Sequence, residues 1–124
     1  MQTLDPTRNA RAYLCGQILA ILEEAQSRAA GHPLNTTLVD RTYGAASMSP
    51  KSMIPALIRT LEMGHLPKIR KKWKAGYDEL RNSLEDIGKR LNDAGGYPVT
   101  LSLQDQAEFA LGFYCQRADF RRPK

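Results

Sequence analysis

The chain has 124 residues, 42% of them hydrophobic and 25% charged, values typical of one globular domain with a modest core. Its apolar runs are far shorter than the roughly 18 residues that a membrane-spanning helix needs, and no basic segment followed by an apolar one opens it, so we expect neither a membrane anchor nor a secretory signal. The net charge of +5 comes from residues 41–75, where eight Lys and Arg stand against one Glu, and such a local excess indicates a polyanionic partner.

The first predicted helix starts near Pro6, with Asp5 as its N-cap and the proline at the first helical position. It ends at Gly31 and Pro33, since glycine and proline commonly follow a helix. Its apolar positions recur at helical spacing and predict one buried stripe. That stripe consists of Leu14, Ile18, Ile21, Leu22 and Ala25.

A shorter second helix is predicted to begin near residues 35–36. The small residues at 44–47 follow, and they predict close packing against a neighbouring helix backbone. A third helix starts at Pro50 behind a serine N-cap. Its predicted buried stripe is Ile54, Leu57, Ile58 and Leu61. Gly64 and Pro67 then predict a kink or break between residues 63 and 68.

The fourth predicted helix runs from about residue 75 to residue 94 and stops at a glycine pair. Its apolar residues recur at intervals of three and four, a narrow seam suited to packing on another helix. These residues are Tyr77, Leu80, Leu84, Ile87 and Leu91. From this pattern we expect Leu84 to lie in the core.

The last helix follows Ser102, which stands three residues before Asp105 at the spacing of a capping box. One face of this helix is predicted to be buried, with Phe109 and Phe113 widening it. That face consists of Leu103, Ala107, Ala110, Leu111 and Tyr114. We expect Leu111, which is central in this face, to be a core residue.

Five helices with short connections predict an all-α fold, a compact bundle in a single domain that covers residues 1–124. Residues 120–124 are expected to form a frayed basic tail. The two cysteines, Cys15 and Cys115, lie among apolar neighbours in helices and are expected to be buried free thiols. A disulfide between the first and last helices remains open as an alternative.

Catalytic, metal-binding and cofactor-binding motifs are missing from the sequence. His32 and His65 have no Cys, His or carboxylate at ligand spacing, and there is no glycine-rich phosphate loop or nucleophile motif. The adjacent acidic pairs at 23–24 and 78–79 are expected on solvated helix faces. We therefore expect a protein that is not an enzyme and that takes no metal or cofactor.

The basic segment 68–74, with the sequence KIRKKWK, is the clearest functional signal. It could be a solvated connector, but its charges share one sign and surround Trp73. Lys and Arg can hold phosphates while an aromatic ring stacks on a base, although Trp73 could equally anchor a helix in the core. The predicted nucleic-acid-binding residues are Lys68, Arg70, Lys71, Lys72 and Lys74, with Arg41 and Lys51 in addition.

Three stretches in order resemble one known family. The run YPVTLSLQDQAEFALGFYCQ at 97–116 is similar to the closing segment of the large subunit of the subtype I-C CRISPR surveillance complex (Cascade). That segment has an aromatic-Pro pair, Leu-Ser-Leu, and an aromatic-rich helix that closes in Tyr-x-Gln. The run AYLCGQILAILEEAQ at 12–26 resembles the family's helix of the form Tyr-Leu-x-Gly-x-Leu. The run DRTYGAASMSPKSMIPALIRTLEMGHL at 40–66 resembles its Asp-Arg-Tyr-Tyr-Gly-Ala-Ala-Ser block, after which a helix that begins with proline follows.

The chain resembles the C-terminal part of a large subunit several times longer, and in that family an internal start can yield this part separately, as the small subunit of the complex. The resemblance implies a non-catalytic, cytoplasmic prokaryotic protein that supports assembly and holds the displaced non-target DNA strand of an R-loop. It implies as partners the large subunit, the backbone subunits, a second copy of itself, the crRNA–DNA heteroduplex and the displaced single-stranded DNA. A domain cut from the large subunit, a purely architectural protein–protein brace and a helical DNA-binding regulator are the alternatives.

Overall fold

The computed structural model describes residues 4, 5, 7, 8, 10–31 and 38–122. Helices account for most of this part of the chain, and it contains no strand. The elements are α1 (Arg11–Ala30), α2 (Leu38–Met48), α3 (Pro50–Thr60), a π-turn (Leu61–His65), α4 (Leu66–Lys72), α5 (Lys74–Asp93) and α6 (Leu103–Arg121). Because α3, the π-turn and α4 form one uninterrupted rod, the described residues make five helical rods. The predicted all-α bundle of about five helices is confirmed.

The first helix, α1, runs through the centre of the bundle. It packs most extensively on α6 and next on α5, and it also touches α2, α3 and α4. Its predicted stripe is buried, but burial extends almost around the helix from Ala12 to Glu23. The predicted start near Pro6 is wrong, because α1 begins at Arg11. The Asp5 carboxylate instead accepts a hydrogen bond from the backbone N–H of Thr7 (2.9 Å), which closes a local turn.

Helices α1 and α6 touch through their backbones. A Cβ atom placed on Gly16 would lie 2.0 Å from the carbonyl oxygen of Phe109, and one on Gly112 would lie 2.0 Å from the carbonyl oxygen of Tyr13. Contact this close is possible only where neither helix carries a side chain at the crossing point. The two glycines therefore set the distance between the two central helices.

The N-cap of α6 is as predicted, since the Ser102 hydroxyl accepts a hydrogen bond from the N–H of Asp105 (3.1 Å). Of the predicted buried face, only Phe109 and Phe113 are buried. Leu103 is 85% exposed, Tyr114 is 54% exposed and Leu111 is half-buried, whereas the face centred on Gly112 is buried against α1. The buried residues of α6 are Phe109, Gly112, Phe113, Cys115 and Gln116. The glycine contact with α1 determines which side faces inward.

The carboxyl end of α6 extends further than expected. The helix continues to Arg121, and Phe120 packs against the core. The prediction of a frayed tail from residue 120 is therefore wrong for Phe120 and Arg121. Of the predicted tail, Arg122 caps the helix, and positions 123–124 lie outside the described residues.

Close backbone packing at residues 44–47 is only partly found. Ala46 and Ser47 are buried, but Gly44 and Ala45 are exposed, and a Cβ on Gly44 would meet nothing within 4 Å. The described part of the second helix begins at Leu38, and the predicted start at 35–36 lies outside the described residues. The small residues that bring two backbones together are those at the α1–α6 crossing.

The predicted break between residues 63 and 68 is wrong, because the chain stays helical through the π-turn. The N–H of Leu66 bonds to the carbonyl of Leu61, five residues earlier, as in a π-helix. Pro67, which lacks a backbone N–H, directly follows this turn as the second residue of α4. The inner side of the rod is apolar, as predicted for α3, and includes Ile54, Leu57, Leu61, Leu66 and Ile69.

The prediction for α5 is confirmed within one residue at each end. Leu80, Ile87 and Leu91 of the predicted seam are buried, and Tyr77 and Leu84 pack on the core from its edge. The chain leaves the helix through glycines with positive φ at positions 95 and 96. Leu84 is thus a peripheral core residue, while Leu111 lies outside the core.

Both cysteines are buried, and they are not joined in a disulfide, as predicted. Burial raises the pKa of Cys15 to about 12, so its reactive thiolate is scarce near neutral pH. We expect a thiol-reactive disulfide reagent at about pH 8 to label the native chain only as fast as it unfolds, and to label two thiols promptly in strong denaturant. Prompt labelling of the native chain would contradict the burial of these groups.

None of the helices in the described ranges is long and apolar enough to cross a membrane.

Candidate nucleic-acid interface

The basic segment is a helix on the surface of the bundle. Leu66 and Ile69 are buried and attach α4 to α1 and α5, whereas the Lys and Arg side chains of α4 are exposed. The interpretation of this segment as a solvated connector is therefore wrong. Seven residues make α4 about 10 Å long, and it presents Lys68, Arg70, Lys71 and Lys72 from a fixed backbone.

Most of these cations have no acidic partner. Lys68, Lys71 and Lys72 form no salt bridge with any residue in the described part of the chain, and the Arg70 guanidinium lies 5.8 Å from the ring centre of Tyr77. Lys74, the first residue of α5, lies 3.3 Å from the Asp78 carboxylate, but both side chains are about half exposed or more. The positive charge of α4 is thus available to an external anion.

Arg41 and Lys51 are exposed but lie away from this cluster. Lys51 stands at the start of the α3–α4 rod, about 25 Å from Lys68 at roughly 1.5 Å per residue. Arg41 lies on α2, and no described residue of α2 contacts α4. The structure therefore brings together five of the seven predicted residues.

Trp73 occupies the corner between α4 and α5. The residue is 53% exposed, so it is not a core anchor. One part of the ring covers Gly76, where a Cβ would lie 2.4 Å from the ring carbons, and the Arg28 guanidinium lies 4.9 Å from the ring centre. The tryptophan is therefore fixed in place while part of its ring faces solvent.

Arg28, which no sequence motif indicated, holds this corner. Its side chain is 9% exposed and donates to the Glu24 carboxylate (2.8 Å), to the carbonyl of Gly76 (2.9 Å) and to the Glu79 carboxylate (2.5 Å). The same guanidinium lies 5.5 Å from the ring centre of Phe120. The end of α1 is thus connected to the first turns of α5 and, through Trp73, to the end of α4.

An open groove of about 590 Å³ lies between α4 and α5. Leu66, Pro67 and Tyr77 supply its apolar surface, and Arg70, Lys71, Arg81 and Glu62 supply its charges. Arg81 was also missed, although its spacing of four residues from Tyr77 puts both on one face of α5. Its guanidinium lies 3.6 Å from the Glu62 carboxylate and 3.4 Å from that of Glu85.

Contrary to expectation, the acidic pairs at 23–24 and 78–79 are not all on solvated helix faces. Glu23 is buried, 3.2 Å from the Arg117 guanidinium, and burial raises the pKa of its carboxyl, so the expectation of a solvated position is wrong for this residue. Glu79 holds Arg28. His65 is half-buried, and its burial and the nearby charge of Lys68 lower its pKa. No group of three metal-ligating side chains occurs among the residues that the structure describes.

The sequence was compared with known proteins. The sequence model of a CRISPR-associated protein family, Cas_Csd1, matches residues 1–121. No significant match exists among curated proteins. Because the family model covers nearly the whole chain, this protein belongs to the CRISPR-associated Cas_Csd1 family.

Proposed function

We propose that the chain is a non-catalytic small subunit of a crRNA-guided type I-C CRISPR surveillance complex, in which α4 holds the displaced DNA strand of the R-loop. Membership of a CRISPR-associated family supports a role in a CRISPR system. The ordered resemblance of residues 12–26, 40–66 and 97–116 to the C-terminal part of the subtype I-C large subunit supports the finer assignment. The proposed protein partners are the large subunit, the backbone subunits and a second copy.

The observation that carries this proposal is the row of unpaired cations on α4. In an R-loop the guide RNA reads the sequence by base pairing, and the protein has to keep the displaced strand from pairing again. Contacts with phosphates do this without sequence preference. Because Leu66 and Ile69 fix α4 in the bundle, binding a strand orders only the side chains of Lys68, Lys71 and Lys72 and not the backbone that carries them.

A brace that contacts only protein is the second candidate. The outer surface of the bundle exposes Leu103 (85%), Met48 (59%) and Tyr114 (54%), and large apolar side chains of this kind are enriched at the centres of protein interfaces. This surface also suits the assembly role of a small subunit, so the two candidates differ in what α4 contacts.

The test uses the assembled complex with Lys68, Lys71 and Lys72 replaced together by Ala. The matched control removes the same charge from exposed positions outside the cluster, with R59A, K89A and R122A. We expect guide RNA loading to be unchanged in both variants. In the α4 variant the target duplex should open less completely or close again faster, as followed by the chemical reactivity of unpaired thymines in the displaced strand.

The salt dependence of target binding measures the number of phosphate contacts that the α4 variant loses. Each lost phosphate contact with a single strand should reduce the slope of log K against log salt by about 0.7, so the α4 variant should lose about 2 in slope while the control keeps the wild-type value. Strand opening equal to wild type in the α4 variant would exclude strand holding. If that variant fails to assemble while the control assembles, the brace is the better description.

A further inference from the structure

We propose that the groove between α4 and α5 binds one unpaired nucleotide, with the base against Tyr77 and the phosphate between Lys71 and Arg81. This inference rests on the proposed function and assigns it a specific contact. It adds two residues, Tyr77 and Arg81, to the cations of α4. It also makes the affinity for the strand depend on stacking of a base as well as on charge.

The shape and composition of the groove suit a nucleotide. Its volume of about 590 Å³ lies within the range of ligand sites in proteins. Leu66 and Tyr77 contribute apolar surface to its lining, and Arg70, Lys71 and Arg81 contribute cations. An apolar, aromatic surface with cations at its edge matches the two parts of a nucleotide, a flat base and a charged phosphate.

The contact between Arg70 and Tyr77 is one that a base can replace. The guanidinium lies 5.8 Å from the ring centre, close to the outer limit of a cation–π interaction, and Arg70 is exposed. A base that stacks on Tyr77 covers more of the ring than a guanidinium at that distance. Arg70, once displaced, remains within the groove and can join the cations around the phosphate.

Arg81 is held weakly enough to change partner. Its separations from the carboxylates of Glu62 (3.6 Å) and Glu85 (3.4 Å) exceed those of good charge-assisted hydrogen bonds, and the Arg81 side chain is 41% exposed. Exposed pairs of this kind contribute little to stability, so reorienting the guanidinium toward a phosphate costs little. A planar guanidinium is also well suited to bind phosphate oxygens in pairs.

Glu62 tests whether the phosphate enters the groove, because its carboxylate is part of the groove lining. The π-turn carries this carboxylate to the groove, where its charge opposes an incoming phosphate and competes for Arg81. Replacement of Glu62 by Gln should therefore strengthen binding of a single strand by about two- to fivefold. The matched control is Glu85→Gln, which removes the same charge from the other Arg81 pair and from outside the groove lining.

The test separates the contribution of the base to binding from that of the sugar-phosphate backbone. The full chain is titrated at low salt with an oligothymidylate of about 12 nucleotides and with an abasic oligonucleotide of the same length, and binding is followed by NMR shifts of backbone amides. Because non-specific dissociation constants are about 10⁻⁴ to 10⁻⁶ M, titration to about 1 mM covers the expected range. The variants are Y77L and R81Q, with Y114L and R59Q as controls at exposed positions.

We expect Y77L to weaken oligothymidylate binding by about fivefold or more and to leave abasic binding unchanged, because only a base can stack. R81Q should weaken binding of both oligonucleotides. The controls Y114L and R59Q should bind both oligonucleotides as wild type does. Equal binding of oligothymidylate by Y77L and wild type would overturn the groove proposal. The same loss for both oligonucleotides in Y77L would also overturn it.

The outcomes separate this inference from the proposed function. If the triple variant of Lys68, Lys71 and Lys72 loses binding while R81Q and Y77L bind as wild type, the basic helix holds the strand and the groove does not. If wild type shows no shifts up to about 1 mM, the groove proposal fails whatever the assembled complex does. If Y77L does not fold, the comparison of R81Q with R59Q decides the matter, since the Arg81 side chain is 41% exposed, Arg59 is exposed and neither belongs to the core.

Discussion

Replacement of Gly16 by Ala is expected to destabilise the chain by about 3 kcal/mol or more, the upper end of the usual cost of overpacking. A methyl group there would lie 2.0 Å from the carbonyl oxygen of Phe109 and 2.8 Å from the backbone nitrogen of Phe113. Neither atom belongs to a flexible side chain, so α1 and α6 have to move apart. These two helices form the most extensive contact of the bundle, and separating them loosens the burial of Phe109 on α6.

The matched control is Gly88→Ala. Gly88 also lies inside a long helix, but a Cβ there would meet nothing within 4 Å. Since glycine costs a helix interior about 0.5–1 kcal/mol relative to alanine, this substitution should stabilise the chain. Urea unfolding followed by circular dichroism measures both variants. A G16A midpoint equal to that of wild type would mean that the two backbones are not in contact at Gly16.

The parts of the fold that sequence predicts well depend on local pattern. The seam of α5 recurs at intervals of three and four, and Leu80, Ile87 and Leu91 are buried as that spacing indicates. The N-cap at Ser102 is equally local. The inward face of α6 differs from the predicted one because two glycines let the helix backbones touch: Gly112 lies against the backbone of Tyr13, and Gly16 lies against the backbone of Phe109. A hydrophobicity pattern gives more weight to Leu103 and Tyr114 than to a glycine, so it cannot indicate this contact.

In the candidate site, too, features set by adjacent residues can be predicted from the sequence, whereas features set by distant residues cannot. The cations of α4 are adjacent in sequence, so their grouping was visible without a structure. Arg81 and Arg28 were missed because their importance comes from residues distant in the chain, such as Glu79 for Arg28 and Glu62 for Arg81. The break expected at Gly64 and Pro67 did not occur because a π-turn absorbs the irregularity, and no local propensity rule predicts that turn.

Replacement of Arg28 by Ala is expected to destabilise the chain by about 2–4 kcal/mol. The guanidinium is nearly buried and satisfies the carbonyl of Gly76 and the carboxylates of Glu24 and Glu79. Its loss leaves the carbonyl without that donor, but both carboxylates are partly exposed and can be hydrated, which keeps the cost below that of a fully buried pair. The stacking with Trp73 is lost as well.

Arg28→Lys isolates geometry from charge. Lysine keeps the positive charge but has no planar fork, so it cannot donate to Glu24, Gly76 and Glu79 together or stack on Trp73 in the same way. We expect R28K to retain part of the stability that R28A loses, but not to hold the Trp73 ring in its native position. Since Trp73 is the one tryptophan of the chain, its fluorescence reports this corner directly. Both variants should show a longer emission wavelength and stronger quenching by acrylamide in the native state.

The control for this fluorescence change is Arg90→Lys. The Arg90 side chain is 17% exposed, and it lies near the other end of α5, where it donates to the carbonyl of Arg8. R90K should lower the free energy of unfolding without changing the native emission of Trp73. Native emission unchanged from wild type in R28A would show that Arg28 does not position Trp73. If the emission shifts as expected, α4 should lose part of its fixed orientation, and R28K should weaken single-strand binding although no residue of α4 has been changed.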